Sequence, residues 1–295
     1  MNIFEESKSI IILLFITLVK PVCVHASTNT GDAKREVKVA VHEYPPFYDR
    51  TGKGLLVDLY RAAFGVVNLE VKFQVLPLGR AIQYFKLGKI DALSPGELIL
   101  PSINKNSILS VNALKVTMCW IYYAPNFSGK APPNLENIRN YNLSAIRFTP
   151  YLQAYREQNL KFMQVGTPRQ LMRLLKSDRV QLSEVVYLSS LWVEGHYFPG
   201  EQGAFKCIPR TTEAVGLAFY SENSRAASLA RLFRQGINTI KDSGEYIEIL
   251  ESYWGEKNIP RELLPADIPE IVTRRGGSEN VFHSKRRGSS GKILN

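Results

Sequence analysis

The strongest constraint on this chain is a regular alternation of short apolar runs with segments of helical period, beginning at Val37. "VKVAV", "LEVKFQVL" and "KIDALS" read as strands; "LLVDLYRAAFGVV" and "LGRAIQYFKLG" between them read as amphipathic helices. A second series repeats the theme. "YNLSAI", "KFMQV" and "VQLSEVVYL" read as strands, and "PYLQAYREQN" and "TPRQLMRLLKSD" as helices, the latter with Thr167 as N-cap and Pro168 at its first position. Alternation of this kind predicts parallel sheet, because parallel neighbours need a long connection and a helix supplies it. "VTMCWIYYA", reached through a connecting "LSVNALK", and "AVGLAFY" are further strands. "SRAASLARLFRQGINTIKDSG" and "EYIEILESYWG" close the series as helices. Two similar α/β units joined by two crossings are the simplest packing, and 295 residues suffice for both.

The ends have a different character. Ile10–Val19, "IIILLFITLV", is too short to span a bilayer as a helix, which takes about 20 residues. It suits the apolar region of an export signal, residues 1–26, with "VHAS" offering cleavage after Ala26. An exported, periplasmic chain is expected. Removal of Cys23 with the signal leaves Cys119 and Cys207, in strand-like segments that invite one disulfide in an oxidising compartment, or stay as two buried thiols. The formal net charge is +10, and about half of the excess lies from Arg274 onward. That basic, Gly- and Ser-rich tail within residues 256–295 reads as disordered. Export argues against a nucleic-acid partner, and no basic-aromatic interleaving in the body supports one.

The stretch "VAVHEYPPFYDRTGKGLLVDLYRAAF" sets Tyr44, Phe47 and Tyr48 around a Pro-Pro elbow that follows the first strand. Open α/β sheets place ligands at the carboxyl ends of their strands, so these aromatics are candidate ligand contacts. His42, beside Glu43, reads as a polar rim. Searches for G-x-S-x-G, H-E-x-x-H and P-loop strings find none. No metal or cofactor is expected.

The strings "YPPF", "GLLVDLYRAA", "LGKIDAL" and "LARLFRQGINTIKDSGEYIEILESYWG", in this order, resemble the family 3 extracellular solute-binding proteins of the polar amino-acid-binding type. The likeness runs over about Val37 to Gly255. It implies an α/β, two-lobed type II periplasmic-binding-protein fold with a hinge of two crossover segments. Lobe 1 would comprise residues 36–111 and 217–255, lobe 2 residues 112–216. Ligand would lie between them. The segment after Gly255 has no counterpart in the resemblance.

The likeness breaks at the ligand. Such proteins follow the third strand with Gly, threonines and an arginine that forks onto an α-carboxylate. Counted from Asp91 and Gly96, the threonine positions hold Leu98 and Leu100, and the arginine position holds Ile103. In the second lobe, Gln181 stands where an aspartate is usual, with Glu184 nearby as a substitute. An ordinary zwitterionic amino acid therefore fits poorly. Arg80, Glu97 and Arg147, with Thr149 and Tyr151 beside the last, are the expected polar anchors, for an acidic or aromatic small molecule or a short peptide.

The expected role is capture of a small polar or acidic solute by a monomer, without catalysis, for a membrane permease of the ABC type. A membrane sensor protein is the alternative partner. A dehydratase-like enzyme of the same fold, with Glu97 as its acid-base group, is a further reading. A scaffold that binds no solute is the last, and a cleft filled by its own side chains would favour it.

Overall fold

The computed structural model describes residues 35–265, apart from positions 101, 102, 128, 129, 131, 132, 134, 148, 150 and 257. The expected export signal, its cleavage after Ala26 and the basic tail lie outside the described residues. Eight strands form one sheet in the order β2-β1-β3-β8-β4-β7-β5-β6. At one end β1 (Arg35–Val41) runs parallel to β2 (Leu69–Val75) and β3 (Ala92–Leu93), connected by α1 (Leu55–Gly65) and α2 (Leu78–Lys86). At the other end β5 (Leu143–Ile146) runs parallel to β6 (Phe162–Val165) and β7 (Leu182–Val186), connected by α3 (Tyr151–Glu157) and α4 (Pro168–Lys176). Thr167 caps α4 by accepting from the Gln170 backbone N–H at 3.3 Å, and Pro168 follows it. The anticipated α/β alternation is present at both ends.

The middle differs from the sequence reading. The connecting "LSVNALK" is itself strand: β4 (Ile108–Tyr123) and β8 (Phe205–Tyr220) each run for 16 residues. They pair antiparallel along their length, from Ile108 opposite Tyr220 to Tyr123 opposite Phe205. A long crossing thus satisfies its backbone groups on its neighbour, which an isolated loop would leave to water. Register shifts lie between Asn112 and Leu114 and between Met118 and Cys119. A side chain at Gly216 would run into the backbone of Val111, Asn112 and Ala113, so only glycine admits that approach. The boundaries anticipated for the lobes, 111/112 and 216/217, fall on this stretch, where Asn112 pairs with Gly216. A disulfide, Cys119–Cys207, ties the two long strands. "KIDALS" shrinks to the two-residue β3, with Asp91 accepting from the Lys38 backbone N–H at 2.8 Å and pairing with Arg225 at 3.1 Å. "SSLWVEGHY" belongs to α5 (Tyr187–Tyr197).

The main apolar core joins α1 and the sheet to α6 (Ala226–Asp242) and α7 (Glu245–Trp254). Phe64 and Tyr60 meet Phe233 at 5.0 and 5.3 Å between ring centroids. A separate cluster under β5 stacks Trp120 on Tyr155 at 5.6 Å. Beside it the buried Glu184 pairs with Arg210 at 2.5 Å and accepts from the Tyr155 hydroxyl at 2.6 Å. After α7 the chain crosses β4: Leu263 is buried, its carbonyl accepts from the Tyr246 hydroxyl at 3.0 Å, and Thr117 donates to Glu262.

Candidate functional site

The site grows from the end of β1. There the chain folds over itself: the Tyr44 N–H donates to Tyr48 O at 2.9 Å, and the Leu55 N–H to Pro46 O at 3.0 Å. Gly54 closes the loop at φ 139°, and a Cβ at that position would collide with the Phe47 carbonyl. This turns Tyr44, Phe47 and Tyr48 inward, and all three are buried. The Tyr60 hydroxyl reaches Ser94 Oγ at 2.8 Å, and the Tyr48 hydroxyl reaches the same atom. Ser94 gives its one proton to Gly216 O at 3.0 Å, so both tyrosines donate to it. Burial pushes both phenols above their ordinary value.

The same loop touches the junction of β7 and α5. The Val186 N–H donates to Tyr44 Oη at 3.2 Å, and Ser189 Oγ donates to Pro45 O at 2.5 Å. Between the loop and that junction lies an apolar cavity of about 50 Å³, lined by Tyr44, Phe47, Met118, Thr149 and Val186 among others. It admits a few waters; ligand pockets run to about 300–1,000 Å³. The aromatic loop therefore fills most of the space it was expected to offer.

A second cavity, about 470 Å³, opens beside the first. On one side it meets the carboxyl ends of β1 and β2, through His42, Glu43, Arg50 and the apolar Val75–Leu78. On the other it meets the ends of β5 and β6, through Ile146, Arg147, Gly166 and Thr167. Arg50 is held by Glu43 at 2.8 Å. Arg147 is exposed and has no ion pair among the described residues. His42 lines both cavities.

Of the anticipated anchors, Arg147 thus lies in the groove and Thr149 in the apolar cavity. Arg80 is exposed on α2 and lines neither. Glu97 sits in a short 3₁₀ turn, Gly96–Ile99, and Tyr151 opens α3; the side chains of both lie outside the described residues. At the vacant clamp positions, Leu100 is buried and Ile103 packs against the cluster around α2. Glu184 is committed to Arg210 and Tyr155; burial raises its pKa, and those two partners oppose the rise. His42 is the residue that sequence reasoning misplaced. It is buried rather than on a rim, and burial lowers its pKa to about 4. Its position directly after the apolar run of β1 was the available signal.

No protein-family model matches the sequence. No curated protein matches it either. Solved structures do. The ligand-binding core of GluR0 from Nostoc punctiforme, in complex with L-glutamate, is similar at 13% identity and a TM-score of 0.61, over 74% of this chain and 99% of that one. An ABC uptake transporter substrate-binding protein from Streptococcus pneumoniae with bound histidine has 15% identity and a TM-score of 0.61, over 77% and 94%. A histidine kinase sensor domain with similarity to periplasmic binding proteins has 20% identity and a TM-score of 0.60, over 74% and 95%. Among the described residues no helix is long and apolar enough to cross a membrane. The chain has the two-lobed α/β fold of the type II periplasmic binding proteins, and its structural neighbours include amino-acid-binding members of that type.

Proposed function

We propose that the protein is an exported solute-binding protein that captures a small acidic solute in the groove and presents it to a membrane importer. One observation carries this reading: Arg147, without an ion pair among the described residues, faces a groove of ligand size between the carboxyl ends of two sets of parallel strands. A guanidinium is charged at any working pH and suits a carboxylate. The solvent-open setting of Arg147 fits a solute held at one end, not a zwitterion clamped at both. The apolar packing of Leu100 and Ile103 supports the same conclusion. The near-filled apolar cavity speaks for a ligand-free scaffold, but the open groove speaks against it. Delivery to a membrane sensor is the second reading, favoured by the similarity to a kinase sensor domain.

The test is calorimetry and native mass spectrometry of the exported chain against carboxylic acids, neutral solutes and polyamines. Acids should bind, and Arg147→Ala should weaken them by up to about fivefold, as loss of an exposed ion pair of about 1 kcal/mol does. Binding of polyamines or neutral solutes alone would overturn the reading.

A further inference from the structure

One side chain stands at the boundary of the apolar cavity and the groove. His42 lines both and is 7% exposed. Its Nδ1 has no hydrogen-bond partner among the described residues. The rest of its surroundings are already committed. Tyr44 stands edge-on at 5.6 Å between ring centroids with its hydroxyl at the Val186 N–H, and Tyr48 stands at 6.1 Å with its hydroxyl on Ser94. The Ser94 backbone stands where it can take a ring N–H, and burial lowers the ring's pKa to about 4, which leaves it neutral at pH 7. With its one proton directed there, Nδ1 presents a lone pair. A buried acceptor left unpaired is unfavourable, and a solute that brings a donor relieves it.

We infer that His42 Nδ1 is the specificity contact of the groove, accepting a hydrogen bond from an O–H or N–H group of the bound acid. The inference rests on the groove being the solute site. An ionised carboxylate only accepts hydrogen bonds and cannot satisfy Nδ1, so the acid end and the donor end are separate. The acid faces Arg147; the donor faces His42. The cavity behind the ring has about 50 Å³, so the body of the solute stays in the groove and only its donor reaches the imidazole. The solute class is a small carboxylic acid carrying a hydroxyl or N–H away from its carboxylate.

Matched pairs test this: 4-hydroxyphenylacetate against phenylacetate, and 3-hydroxybutyrate against butyrate, titrated calorimetrically into the full exported chain. The donor-bearing member of a pair should bind about tenfold tighter or more, because a site built for a hydrogen bond rejects the analogue lacking it. His42→Phe should abolish the preference, and His42→Gln, whose amide oxygen still accepts, should keep part of it. Nitrogen-15 NMR of the wild-type ring decides the matter without variants: the Nδ1 resonance should move towards its hydrogen-bonded position when 4-hydroxyphenylacetate saturates. Equal binding within each pair, or an unmoved Nδ1 resonance with the acid bound, overturns the inference and leaves the acid reading standing. Binding by no acid of either pair overturns both.

Discussion

Acidification from pH 7 to pH 4 should weaken the fold through His42. In the unfolded chain its imidazole titrates near 6.5, and burial brings it to about 4 in the folded protein. Between those values the unfolded chain holds a proton that the folded chain does not, so the unfolded state gains and stability falls with pH. A separation of about 2.5 pH units, 6.5 minus 4, at about 1.36 kcal/mol each, amounts to about 3 kcal/mol. Two buried carboxyls act with the opposite sign. Burial raises Glu184 and Glu194, so the folded state holds their protons more firmly, and acidification through that region stabilises through them. The raw curve therefore mixes both signs, and the difference between wild type and His42→Gln isolates the ring. Urea unfolding followed by tryptophan fluorescence from pH 8 to pH 4 measures it. The stability advantage of wild type over the variant should shrink by about 3 kcal/mol between pH 7 and pH 4, most steeply from 6.5 downward. Curves that stay parallel would refute the buried neutral ring.

Three further outcomes follow from the packing. Tyr44→Phe removes the acceptor of the buried Val186 N–H and should cost about 1–3 kcal/mol in urea unfolding; Ser189→Ala leaves the equally buried Pro45 carbonyl without its donor and should cost a similar amount. Replacing Cys119 and Cys207 together by alanine opens a bridge across a separation of 88 residues and should cost about 2–5 kcal/mol, read as a lower midpoint that reductant no longer shifts. Gly236→Ala gains about 1 kcal/mol of helix propensity in α6 but drives its Cβ into the Ala63 carbonyl of α1. Because that obstacle is backbone and cannot rotate away, net destabilisation of about 1–3 kcal/mol is expected, and a raised melting temperature would contradict it.

The two parallel ends of the sheet were legible because their cause is local. Leu55, Leu59 and Ala63 recur at helical spacing, and Thr167 with Pro168 marks the start of α4. The long middle strands were only half legible. Their central stretches carry Asn112, Lys115, Arg210 and Glu213, and they are strand because each pairs with the other across about a hundred residues of chain, which no local pattern records. The aromatic loop was recognisable as special, but not its state. Burial of Tyr44 and Phe47 depends on Val186 and Ser189, which follow some 140 residues later. Arg80 and Arg147 looked alike in sequence. Only the fold sets the first on an exposed helix face and the second against the groove.

The residues that stand at the positions of an amino-acid clamp bear directly on what the proposed site could recognise. A zwitterion must have both charges answered in a small volume, because an unpaired buried charge is far too costly to hold. Here the clamp positions have joined the core through Leu100 and Ile103, and the carboxylate of Glu184 is already answered by Arg210. Full burial of a zwitterion is thus unfavourable, and on the proposed reading recognition moves outward to Arg147 and the mouth of the apolar cavity. An ion pair at an exposed arginine contributes at most about 1 kcal/mol and tells one acid from another poorly. Discrimination must then come from a desolvated contact, where a missing partner has consequences. Among the described residues of the groove, the buried group that meets that requirement is the unpaired nitrogen of His42.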